Sequence, residues 1–165
     1  MKKNNLNPVV IWTNIISVLF LAGLVAVLFL PAWEFRSKLI SIAEYVAFPT
    51  KKISILKAFR ETLGLAKNPG VNELVTVPVM TMLLTIGGGA ATWVFKKLPL
   101  GSVAALVTGT WALIAYLTVP YFTMSASHLY LVIAAAAATA AGLVCLVIAI
   151  LSIIKEEKKF LAAKE

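Results

Sequence analysis

Ser125, Ser127 and His128 are the residues of this 165-residue chain whose types and spacing could do chemistry, since hydroxyls beside an imidazole are the parts of a nucleophile and its base. A nucleophilic triad needs a third group to orient the imidazole, and no acidic residue lies near these three. His128 is also the only histidine, so a two-histidine haem site or a metal site within the chain lacks ligands. The single cysteine, Cys145, stands among Val144, Leu146 and Val147, which excludes an intramolecular disulfide and reads as a small packing residue. Gly87, Gly88 and Gly89 suggest a phosphate loop, but the Lys-Ser or Lys-Thr that should follow is missing. The expectation is a protein that is not an enzyme, with no catalytic residue, metal or cofactor. Bound lipid is compatible with that reading.

These candidates sit on or between four apolar runs, 9–30, 74–95, 101–120 and 129–154, that contain no Asp, Glu, Lys or Arg. Each is about the 20 residues that a helix needs to cross roughly 30 Å of hydrocarbon. The expected fold class is therefore an all-α integral membrane protein. Its four transmembrane helices form a bundle and a single domain over 1–165, with a short basic cytoplasmic tail at 155–165. Lys2 and Lys3 before the first run would suit a secretory signal, yet the run continues through Leu30 without a small-x-small cleavage site. It reads as a retained signal anchor.

The net charge of +8 comes from 15 basic and 7 acidic residues spread over the polar segments, with no long basic block. Membrane topology and anionic headgroups account for that excess, so no nucleic-acid partner is expected. With the N-terminus inside, the cytoplasmic side carries eight Lys and Arg and the opposite side seven, so the totals do not orient the chain. The basic turn at 95–101, with Lys96 and Lys97, and the uncharged turn at 121–127 favour both termini in the cytoplasm. A plasma membrane or bacterial inner membrane is the expected location.

Between the first two runs, Phe35, Leu39, Ile42 and Val46 recur at helical spacing, which predicts an amphipathic helix over 34–48 that Pro49 ends. Ile55, Leu56, Phe59 and Leu63 predict a second over 51–66, closed by Gly64 and the Asn68-Pro69-Gly70 turn. Two short helices of this kind are expected to lie in the headgroup plane, or else to fold over the span ends as a cap. Trp33 and Tyr45 fit an interfacial aromatic belt.

Within the runs, small residues mark faces where helix backbones can approach closely. Gly87, Gly88, Gly89 and Ala91 form a patch in the second run, Gly101, Ala105 and Gly109 follow at four-residue spacing in the third, and Ala134, Ala138 and Gly142 in the fourth. Thr81, Thr85 and Thr92 share one side of the second run and could form a polar seam, although a threonine hydroxyl can also bond its own helix. Asn14 is costlier to bury and reads as a packing or interfacial residue.

The loop lengths, with a long first connection and short later ones, resemble the claudin-like tetraspan families in topology. Their Trp-Cys-Cys signature is absent, because Trp33 is followed by Glu34 and Phe35, and no residue carries over. The function expected is a non-catalytic membrane subunit or scaffold, with the lipid bilayer and either other membrane proteins or copies of itself as partners. An oligomeric channel lined by the threonine seam is the alternative, and a membrane-remodelling or lysis protein a weaker one.

Overall fold

The computed structural model describes residues 7–35, 38–42 and 69–162. Four long helices dominate it: α1 (Pro8–Val27), α2 (Pro69–Val94), α3 (Leu100–Thr118) and α5 (His128–Ala162). A two-stranded antiparallel hairpin, β1 (Pro31–Phe35) with β2 (Lys38–Ser41), follows α1, and the short α4 (Pro120–Thr123) follows α3. All four long helices are long and apolar enough to cross a membrane.

Local chemistry sets the helix ends. Asn7 caps α1, its side-chain oxygen accepting from the Val9 N–H at 2.9 Å. Pro8 occupies the first turn, where its missing N–H costs nothing. Pro120 stops α3 at Thr118, since the residue before a proline is held out of the helical region and Val119 is extended. The helix α2 begins at Pro69, ahead of its apolar run. Likewise α5 does not stop where the apolar run ends: it continues through Lys155, Glu156, Glu157, Lys158 and Lys159 to Ala162. Lys and Glu are good helix formers, so the segment expected as a tail is helical over its described part. At 35 residues α5 is about 50 Å long, well beyond the hydrocarbon thickness.

The first amphipathic helix expected between the spans is not formed over 34–35 and 38–41, which lie in the two paired strands. Its register pairs Trp33 with Ile40, Glu34 with Leu39 and Phe35 with Lys38, with an irregularity between Pro31 and Trp33. Trp33 and Phe35 alternate with Glu34, a period of two that competes with the period of 3.6 and wins in so short a stretch. Only two residues separate the strands, the spacing of the tightest hairpins. The Ala126 N–H donates to the Ala32 carbonyl at 2.9 Å, which joins the hairpin to the connection after α4. Ala32 and Ile42 are buried with Leu28, Tyr116, Phe122 and Leu131, so this region covers the helix ends there. The remainder of that first helix, with Tyr45, and all of the second, with Leu56, Phe59 and Leu63, lie outside the described residues.

The helices α1 and α3 pack on each other, with α2 and α5 each against both. Burial ranks them accordingly: 44% of the α3 span is buried but only 17% of the α2 span. The buried positions recur every three and four residues. In α1 they include Val10, Asn14, Ser17, Leu21 and Leu24, and in α5 Leu131, Ala135, Ala138, Gly142, Cys145 and Ala149. Steps of four and three alternate, so every second position is seven residues on, the 3.5-residue repeat that keeps a seam facing a neighbouring helix along its length.

Candidate functional site

Polar ties cross between helices on the side of the fold where α1 begins and α5 ends, and three of them join described residues of different helices or their ends. The Asn7 amide donates to the Ser152 hydroxyl at 2.9 Å, linking the start of α1 to α5. The Ser17 hydroxyl donates to that of Ser102 at 3.2 Å, linking α1 to α3. Asn14 makes the third. Its Nδ2 donates to the Leu98 carbonyl at 2.9 Å and its Oδ1 accepts from the Gly101 N–H at 3.0 Å. The first turn of α3 has no side-chain cap of its own, because Pro99 holds that position. Asn14 thus supplies from α1 a cap for one of the N–H groups that a helix start leaves unpaired.

Close approach of backbones explains several of the small residues. A Cβ placed on Gly109 would stand 2.6 Å from the Thr139 nitrogen and 3.1 Å from the Ala135 oxygen. One on Gly142 would run into the backbone of Leu106 and Ala105. Gly101 would meet Thr92 Cγ2 at 2.8 Å and the Asn14 backbone at about 3 Å. Ala105 and Ala138 are fully buried in the same contacts, whereas Ala134 is half-buried at the edge of the core. The Gly87–Gly89 patch divides. Gly88 packs on Ala104 and Ala91 is half-buried, but a Cβ on Gly87 or Gly89 would meet nothing within 4 Å among the described residues.

The threonines of the expected seam each bond their own helix. Thr81 donates to the Val77 carbonyl and Thr85 to the Thr81 carbonyl, both at 2.7 Å, and Thr92 to the Gly89 carbonyl at 2.6 Å. Thr81 is fully buried, and the Thr92 methyl faces Gly101, so parts of this row lie inside helix contacts. Trp33, Phe35 and Leu39 take their places on the hairpin strands, and Ile42 is fully buried.

At the opposite end the serine and histidine groups lock a turn. The Ser125 and Ser127 hydroxyls bond each other at 2.8 Å, and Ser125 Oγ also accepts from the Ser127 N–H at 3.1 Å. His128 Nε2 lies 3.1 Å from the Tyr116 carbonyl rather than against either serine. Among the described residues no group of three or more His, Cys, Asp and Glu could hold a metal ion. Beneath this turn Tyr116 stacks edge-on against Phe122, with ring centroids 5.1 Å apart, and both are fully buried. Thr81 stands beside the phenol, but the Tyr116 hydroxyl has no hydrogen bond of satisfactory geometry. Because an unpaired buried hydroxyl costs about 1–3 kcal/mol, Tyr116→Phe is expected to hold or raise the melting temperature in detergent. A clear fall would show that the hydroxyl is bonded to Thr81 after all.

Grooves open on the outer surface of the described helices. One of about 340 Å³ lies between α1 and α5, lined by Leu19, Phe20, Gly23, Leu24, Val27, Ala134 and Ala137. Another, about 280 Å³, lies between α1 and α2, lined by Ile11, Asn14, Ile15, Thr92, Trp93 and Lys96. The class these features define is a chain with four membrane-spanning-length apolar helices, compatible with a multi-pass membrane protein. No family model, curated protein or solved structure matches it. Sequence reading missed Asn7, Ser17, Ser102 and Ser152 as helix ties. Ser17 and Ser102 could have been found from the 3.5-residue repeat, which places Ser17 on the buried seam of α1.

Proposed function

We propose that this protein is a non-catalytic integral membrane subunit that associates laterally with other membrane proteins or with copies of itself, both termini lying in the cytoplasm. The observation that carries this reading is the outer face of α2, where Gly87 and Gly89 open onto empty space. Leu83, Gly87, Ala90 and Val94 recur there at the three-and-four spacing of the internal seams, and all four are exposed. Trp93, 76% exposed, and Ile86, 69% exposed, flank this row. In hydrocarbon, exposed leucines carry no penalty, so apolarity alone gives no drive to associate. A small-residue seam supplies close contact to an approaching helix instead. The groove lined by Gly23, Ala134 and Ala137 offers a second such notch. Lys96 and Lys97 beside the α2–α3 turn, against an uncharged turn at 121–127, support the orientation.

Gly87→Leu is the test, because a Cβ there meets nothing within 4 Å among the described residues. The variant is expected to keep its melting temperature while its assembly on native gels shifts to smaller species. Assembly unchanged from wild type would remove α2 as the docking face. Parallel solute-flux measurements in liposomes address the channel. The Thr85 hydroxyl already bonds its own helix, so Thr85→Val is expected to change neither assembly nor flux. Normal assembly with altered flux in that variant would replace the scaffold reading by the channel.

A further inference from the structure

We propose that the groove between α1 and α2 is a binding site for one anionic glycerophospholipid, its acyl chain along the groove and its phosphate on Lys96. The walls are apolar: Ile11 and Ile15 from α1 face Trp93 from α2. Besides Lys96 the lining has two polar residues, and both already make hydrogen bonds within the protein. The Asn14 amide is engaged by Leu98 and Gly101, and the Thr92 hydroxyl donates to the Gly89 carbonyl. A hydrogen-bonding solute therefore finds only the spare valences of these two groups along the walls, whereas a hydrocarbon chain needs none.

The mouth is different. Lys96 is exposed and its Nζ lies over the Trp93 ring, 4.9 Å from the centroid. A cation–π contact holds the ammonium in place while leaving its other donors for an anion. No carboxylate competes from either wall, since α1 and the described part of α2 after Glu73 contain no Asp or Glu. Glu156 and Glu157 are exposed near the end of α5. Interfacial tryptophan and lysine at one level, above an apolar slot, match the order of a phospholipid: phosphate, glycerol, chain. A helix from another protein would match the slot but leave Lys96 without a counter-charge.

The full-length protein in phosphatidylcholine vesicles, doped with phosphatidylglycerol or phosphatidylcholine brominated on the acyl chain, gives a direct readout through tryptophan quenching. At equal mole fraction the brominated phosphatidylglycerol is expected to quench more strongly, with an apparent affinity about fivefold higher, the worth of one lysine at an anionic surface. Lys96→Gln should remove that preference, and Trp93→Phe should remove the quenching that carries it. Both side chains are exposed, so both variants should keep the wild-type melting temperature. Excess inorganic phosphate should not restore the phosphatidylcholine level. Equal quenching by the two lipids overturns the proposal, as does a preference that survives either substitution. A preference abolished by inorganic phosphate would make Lys96 a free-anion site and overturn the lipid assignment.

Discussion

Gly142→Leu is expected to destabilise the protein by about 3 kcal/mol or more, at the upper end of what overpacking a tight contact costs. The obstacle is backbone. A Cβ at Gly142 would meet the Leu106 nitrogen and Cα and the Ala105 carbonyl carbon, none of which can rotate aside as a side chain would. Relief requires α3 and α5 to separate, and these two helices share the most extensive contact in the fold. Separation would also loosen Gly109, one turn along α3, whose position lies against Thr139 and Ala135. Thermal unfolding in mild detergent, followed by circular dichroism, measures the loss. Gly142→Ala should fall between wild type and leucine, and Gly87→Leu, which opens onto empty space, should match wild type. A wild-type melting temperature for Gly142→Leu would mean that α3 and α5 do not touch at this level.

The contrast between Gly142 and Gly87 also shows what could be read from residue types. Apolar runs without charge located all four long helices, because hydrocarbon admits little else that satisfies its own backbone. Their ends were less legible, since apolarity reports the bilayer crossing and hydrogen bonding continues past it. That is why α2 starts at Pro69 and α5 runs on to Ala162. Four-residue spacing among small residues picks out Gly109, Ala138 and Gly142, which are buried or closely approached here, yet it omits the fully buried Ala135. The seams follow a 3.5-residue repeat, which a rule of fours leaves within one turn. The hairpin was hidden for a related reason. Phe35, Leu39 and Ile42 satisfy a helical period, Trp33 and Phe35 an extended one, and only the Ala126–Ala32 bond and the burial of Ile42 decide between them. Both are contacts with chain distant in sequence.

Asn14 is the sharpest case of a long-range role with no local signal, and Asn14→Leu carries the second large effect. Leucine fills similar space, so the substitution opens little cavity. It does strand the Leu98 carbonyl and the Gly101 N–H, which lie 84 and 87 positions along the chain. Gly101 is buried, and α3 has no cap of its own. An unsatisfied buried backbone group costs about 1–3 kcal/mol, which is the loss expected at Gly101, and the half-exposed Leu98 carbonyl adds less. Ser17→Ala, which removes a single hydroxyl bond to Ser102 one turn further along α1, should cost only about 1 kcal/mol. Global stability alone would not distinguish a lost cap from a general packing defect, but amide hydrogen exchange does. In Asn14→Leu the Gly101 amide should lose protection out of proportion to its neighbours in α3, whereas in Gly142→Leu protection should fall along α3 and α5 together. Retained protection at Gly101 in Asn14→Leu would show that another acceptor serves the start of α3, and that Asn14 is a packing residue rather than its cap.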